Sequence, residues 1–281
     1  MKDLNLSTQT NQQDVAVGNH LQSKNRLFTF GCSFTKFNWP TWADIIGQEF
    51  IEYQNWGRSG GGNCFILWSL MEAIHRNKIN SQDTVAIMWS SVSREDRWVN
   101  GDWKTCGSIY RKTKYNPYST DFIKNLADPD GYLIRDMANI SAAKAVLESI
   151  GCKYYMMSMV PFEIVSETHD SLIDKIKSNL PFQQSIRNEL PSDPKNVMSV
   201  YKDVLKSIRP SVFEVIFEND WSSRGVERPY DFHPSPMEHL EYVEKTLPEF
   251  SISKETRQWT KDMNNRAERG LPYTSTTITR F

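Results

Sequence analysis

Short apolar runs closed by glycine, proline or serine alternate along the chain with stretches in which apolar residues recur every three or four positions. Leu27–Phe30 stops at Gly31, Ile51–Trp56 stops at Gly57, and Cys152–Val160 stops at Pro161. Thr84–Trp89 is apolar throughout between Asp83 and Ser90, the pattern of a central strand covered on both faces. Val212–Phe217 reads as the last strand. Helical spacing follows Thr41 and Asp44, which form a capping-box pair ahead of Trp42–Phe50. It returns over Cys64–Ile74, Val197–Ile208 and Leu133–Ile150, the last ended by Gly151. Ile134, Met137, Ala138, Ser141, Ala145 and Leu147 are its expected inner face. A further helix starts at Pro236 and runs to about Leu247. This alternation predicts an α/β fold with a parallel sheet of about five strands and helices on both faces.

Three stretches break the rhythm. Residues 1–25, rich in Asn, Gln, Ser and Thr, read as a flexible leader, and 250–281 as a helical extension with a polar tail. Between them, 26–249 forms one domain with insertions at about 98–131 and 162–193. The first insertion gathers Trp98, Trp103, Tyr110, Tyr115, Tyr118 and Phe122. Trp98 and Trp103 are its substrate-binding candidates, since indoles stack on ring-shaped ligands; the alternative is that the aromatics pack the insertion onto the domain.

Charge narrows the function. The 281 residues carry 33 basic and 34 acidic side chains, a net of −1, which gives no global pull toward nucleic acid or an anionic membrane. No stretch reaches the roughly 18 apolar residues a spanning helix needs, and Met1–Asn25 lacks a secretory pattern, so a cytoplasmic location is expected. The four cysteines, at 32, 64, 106 and 152, show no metal or redox spacing. Neither a metal nor a cofactor is expected.

Candidate chemistry begins at Ser33, delivered just past the carboxyl end of the first strand, where open α/β sheets bind ligands. A serine nucleophile needs a base, and the base needs an orienting group. Of five histidines, His20 lies in the leader, His75 near a helix end and His169 in the second insertion. His233 is hemmed by Pro234 and Pro236 and preceded by Asp231; His239, inside the following helix, is a structural partner. An Asp–His pair that merely caps a helix has the same pattern. The run Arg58-Ser59-Gly60-Gly61-Gly62-Asn63 frees backbone N–H groups at a helix start, an arrangement that can hold anions, but lacks the Gly-Lys-Ser/Thr ending of phosphate loops.

Together these blocks resemble the SGNH/GDSL hydrolase family: Gly31-Cys32-Ser33-Phe34 its first block, Asn55-Trp56-Gly57-Arg58-Ser59-Gly60 its second, and Tyr230-Asp231-Phe232-His233-Pro234-Ser235 its last. The resemblance implies a flavodoxin-like three-layer α/β/α fold and ester hydrolysis through an acyl-enzyme on Ser33, with His233 as general base and Asp231 as orienter. It implies an oxyanion hole built from the Ser33 N–H, a second-block glycine, best matched by Gly57 ahead of Gly60 to Gly62, and a third-block asparagine.

The chain departs from that pattern in three places. Cys32 replaces an aspartate, one residue rather than two separates Asp231 from His233, and Trp89-Ser90-Ser91-Val92-Ser93-Arg94 stands where Gly-x-Asn-Asp is expected. Ser91, Arg94 and Asn63 are the candidates for the missing donor. The expected activity is an esterase or deacetylase acting on a small acyl group, with a small-molecule or glycan ester as substrate. The rival is a non-catalytic binding or structural component, and the resemblance, extending to phage sequences, allows a place in a virion.

Overall fold

The computed structural model describes residues 26–110, 116–162, 194–221 and 233–273. The leader, the second insertion beyond Phe162, Asp231 and the tail past Tyr273 lie outside the described residues.

Six strands and nine helices are described. In chain order they are β1 (Arg26–Phe30), α1 (Trp42–Gly47), β2 (Glu52–Asn55), α2 (Asn63–Asn77), β3 (Thr84–Trp89), β4 (Arg94–Val99), β5 (Asp102–Ser108), α3 (Thr120–Leu126), α4 (Pro129–Ile150), β6 (Lys153–Ser158), α5 (Pro194–Val200), α6 (Lys202–Leu205), α7 (Val212–Ile216), α8 (Pro236–Thr246) and α9 (Lys254–Glu268). Four strands form one parallel sheet in the order β2-β1-β3-β6, with Phe28 opposite Gln54 on one side and Val85 on the other. Where a fifth strand was expected, Ile208 makes a single parallel bridge to Met156.

The period-two alternation of the strands divides the core. Phe28, Phe30, Val85, Ile87 and Trp89 point to one face and meet Phe65, Ile66 and Leu70 of α2 and Leu133, Met137 and Ile140 of α4. Leu27, Ala86 and Met88 point to the other and meet Trp42 and Ile46 of α1, Val212 and Phe213 of α7, and Tyr242 and Val243 of α8. The result is a three-layer α/β/α architecture. Each such large apolar side chain contributes about 1.5–3 kcal/mol on burial, so both helical layers are held by the sheet. Among the described residues, no helix is long and apolar enough to cross a membrane.

Local chemistry sets the ends of these helices. The Asp44 carboxylate accepts from the Thr41 N–H at 3.0 Å, as the capping pair predicts. Asp128 caps α4 by accepting from the N–H groups of Asp130 and Gly131, and Gly151 ends it in the left-handed conformation. Val212–Phe217, expected as a strand, is instead α7. Ser211 and Glu214 form a reciprocal capping box there, with Ser211 N–H to Glu214 Oε2 at 2.7 Å, and that box overrides the β-favouring Val, Phe and Ile side chains. The inner face of α4 also differs from expectation. Leu133, Asp136, Met137, Ile140, Ala143 and Leu147 are buried, whereas Ile134, Ala138 and Ala145 face solvent, so the face is turned by about one residue. The first insertion is more ordered than its lack of period suggests: β4 and β5 pair as an antiparallel hairpin through Asn100-Gly101, both with positive φ.

Candidate active site

In the order β2-β1-β3-β6 the connections leave β1 and β3 in opposite directions. Their carboxyl ends therefore border the crevice in which open α/β sheets place ligands. Ser33 lies there. The turn that presents it is tight: Thr35 and Lys36 both donate their N–H to the Cys32 carbonyl, at 3.0 and 3.1 Å. Gly31 is required by close approach, since a Cβ there would sit 2.0 Å from Thr35 Oγ1 and 2.9 Å from the Met88 carbonyl oxygen. Ser33 itself is 6% exposed. Among the described residues, no hydrogen bond engages its hydroxyl or its N–H.

His233 is brought to this turn by aromatic residues that directly follow the serine. The Phe37 ring stacks on the imidazole with centroids 3.8 Å apart, and the Phe34 ring lies 5.2 Å away. Trp39 completes the grip by donating its indole N–H to the Pro234 carbonyl at 2.7 Å. A six-residue stretch after Ser33 thus holds a histidine 200 positions downstream. His239 lies under it, fully buried on α8, and burial, with the neighbouring His233 adding to it, pushes its imidazole down to about 3. Asp231 lies outside the described residues.

The second-block groups are largely engaged within the protein. Gly57 donates its N–H to Asn55 Oδ1 at 2.9 Å, and Asn55 Nδ2 donates to the Thr35 carbonyl at 2.8 Å, tying this block to the Ser33 turn. The glycine run is filled from within. Asp96 of β4 accepts from the N–H groups of Gly62 and Phe65, so its carboxylate occupies the anion position at the start of α2. Burial raises the Asp96 carboxyl above its ordinary range, against the downward pull of those two backbone donors.

Asn63 also faces inward. Its Oδ1 accepts from Ser90 N–H at 2.7 Å, while its Nδ2 donates to the Ser90 carbonyl at 3.1 Å and to Asp136 Oδ2 at 2.8 Å. Ser91 shares a hydrogen bond with Ser93, 2.8 Å between their hydroxyl oxygens. Arg94, 9% exposed, donates from one terminal nitrogen to the Gly61 carbonyl at 2.9 Å and directs the other to Met159 Sδ at 3.6 Å. Its Nε is buried with no hydrogen-bond partner among the described residues. Cys32 Sγ touches the same sulfur at 3.7 Å, so Arg94 lies one side chain from the residue preceding Ser33.

Beyond the crevice, Trp103 is buried at 8% exposure and serves as the base of an aromatic cluster. Trp98, 45% exposed, and Trp68, 50% exposed, flank it with ring centroids at 5.7 and 5.0 Å. Arg58 donates to the Trp103 carbonyl at 2.7 Å, linking the cluster to the second block. Trp68 escaped the sequence reading because it occupies an ordinary position on an amphipathic helix. Asp136 and Arg135 escaped it too. Their signal was a carboxylate at the i+3 position of the apolar series Leu133, Met137, Ile140.

No protein-family model matches the chain. No curated protein sequence matches it either. Among solved structures it is similar to a member of the lipolytic G-D-S-L family from Veillonella parvula, with 12% identity over 79% of this chain and 95% of that one and a TM-score of 0.40. It is similar also to a GDSL-like lipase from Bacteroides thetaiotaomicron, with 13% identity over 88% and 92% of the two chains and a TM-score of 0.39.

Proposed function

We propose that this protein is an SGNH-type serine hydrolase that cleaves a small acyl ester. The observation that carries the proposal is the grip of Phe34, Phe37 and Trp39 on His233-Pro234, which sets an imidazole beside the Ser33 turn. In this reading Ser33 Oγ attacks the ester carbonyl as His233 takes its proton, with Asp231 orienting the imidazole. The tetrahedral oxyanion is held by the Ser33 N–H, and Arg94 supplies the charge-assisted donor that replaces an asparagine. Collapse expels the alcohol with the proton from His233, and a water activated by the same imidazole then releases the acid. Catalytic hydrogen bonds are commonly long before substrate binds, so a Ser33 hydroxyl with no hydrogen bond among the described residues is compatible with a resting site. The half-exposed indoles of Trp98 and Trp68 favour a substrate with a sugar ring to stack on them.

One observation favours a second reading. The N–H of Gly57, the best match for the family's glycine donor, and both ends of the amide of Asn63, a candidate for the missing asparagine, are committed inside the protein, which leaves the oxyanion site short of two candidate donors. Each missing donor costs roughly 10²–10³ in rate, so a non-catalytic binding or structural component is the alternative. A fluorophosphonate probe and a short-chain nitrophenyl ester separate the two. The hydrolase reading expects labelling and turnover, both abolished by Ser33→Ala and by His233→Ala. Activity surviving in Ser33→Ala removes the serine from the chemistry, and absence of both labelling and turnover in the parent protein favours the binding component.

A further inference from the structure

The segment Ser90–Arg94 joins β3 to β4 at the crevice, and both of its ends are fixed by neighbouring residues on one turn of α4. At the first end, Asn63 grips Ser90 through its N–H and its carbonyl in the manner of an adjoining strand, and Asp136 Oδ2 accepts the remaining Asn63 N–H. A flipped Asn63 amide would set its oxygen against that carboxylate, so Asp136 fixes which way the grip faces. At the other end, Arg135 donates to the Arg94 carbonyl at 2.8 Å, to Glu95 Oε2 at 3.0 Å and, through Nε, to Asp136 Oδ1 at 2.8 Å. Asp136 is completely buried, in a face otherwise lined by Leu133, Met137 and Ile140. An ionisable group in such a place costs more than an apolar one of the same size, so packing alone does not account for it.

We propose that Asp136 and Arg135 are positioning residues, which hold Ser90–Arg94 in the shape that aims Ser91 and Arg94 at the oxyanion formed on Ser33. The proposal rests on the hydrolase reading above for its last clause and on the hydrogen bonds alone for the first. Neither residue touches substrate. Each acts through the segment it clamps.

Two variants test this. Asp136→Asn keeps the volume and replaces the carboxyl by an amide; Arg135→Lys keeps a cation beside Asp136 and Glu95 but, with one donor nitrogen in place of three, releases the Arg94 carbonyl. With a nitrophenyl ester, each is expected to lower kcat by about tenfold to a hundredfold while KM stays within about twofold, the signature of misplaced groups that act in the transition state. Amide hydrogen exchange over Ser90–Arg94 is expected to quicken in both variants while exchange in β1 and β6 stays as in the parent. A kcat within twofold of the parent, or unchanged exchange over the segment, overturns the proposal. A parent protein that neither hydrolyses nor labels overturns the hydrolase reading instead, and quickened exchange in the variants still supports the clamp.

Discussion

Gly31 sets the geometry of the serine turn through what it lacks. A methyl group there would collide with Thr35 Oγ1, a side chain that can rotate, and with the Met88 carbonyl, which belongs to the central strand and cannot. Gly31→Ala is therefore expected to lower stability by about 1–3 kcal/mol, as overpacking of a filled interior does, and, under the proposed function, to reduce nitrophenyl-ester turnover more than that loss implies because Ser33 moves with the turn. Urea denaturation and steady-state kinetics on the same preparation measure both effects. A second change, Thr35→Ala, should recover only part of the stability, since the clashes with the residue-35 Cβ, 2.8 Å away, and with the Met88 carbonyl remain. Full recovery would show that the strand carbonyl can yield. At this scale the sequence was informative where a residue type is chemically exceptional: Ser33 after a strand, and His233 between prolines. It points to Asn63 as a candidate oxyanion donor, whereas the structure spends that amide on Ser90 and Asp136.

Elements in this fold are stabilised across chain distance, and α2 is the plainest case. Its N-cap, Gly62, offers no side chain, and the carboxylate that closes the helix comes from Asp96, on a strand 34 residues later. Asp96→Ala is expected to cost about 1–3 kcal/mol by leaving the Gly62 and Phe65 N–H groups buried without an acceptor, and Asp96→Asn less, because one amide oxygen remains. For a domain of this size each kcal/mol lowers Tm by roughly 2–4 °C, so calorimetry resolves the two variants. Equal Tm values in Asp96→Ala and the parent would mean that water replaces the carboxylate freely. Long-range capping of this kind also marks the limit of local sequence patterns. The β-strands of the sheet, the capping pair of α1 and the Gly151 end of α4 follow from neighbouring residues and are legible, whereas α4 starts at Pro129, capped by Asp128, four residues before the expected Leu133. The segment of α7 forms a helix where its β-branched and aromatic content predicts a strand because a capping box outweighs that content, and the β4–β5 hairpin, which the apolar periodicity does not show, turns on Asn100-Gly101, a strong hairpin signal. The inner face of α4 was misassigned by about one residue, enough to hide Asp136.

At the scale of the whole molecule, the titrations of His239 and Asp136, both buried, act on folding in opposite senses. Burial holds the His239 imidazole down at about 3, against 6.5 when exposed, so between those values the unfolded chain takes up a proton that the folded one refuses. His239 therefore lowers stability as pH falls from about 6.5 toward 3. Burial pushes the Asp136 carboxyl up to about 7 from 3.8, despite the opposing pull of Arg135 and Asn63, so in that window the folded chain holds a proton that the unfolded one has lost. Its contribution is fully present below 3.8 and is lost as pH rises through 7. Each slope reaches about 1.4 kcal/mol per pH unit, and between about pH 4 and 6.5 the two oppose each other. The surface pairs that hold Glu148 and Glu249 below their ordinary range are common to parent and variants and cancel in the comparison. Urea titrations at pH 7, 5.5 and 4.5 are expected to show Asp136→Asn losing stability on acidification faster than the parent. His239→Leu should gain on the parent over the same steps. Parallel curves for all three proteins would mean that neither group changes its proton affinity on folding, and that the acid response of the molecule is set at its surface.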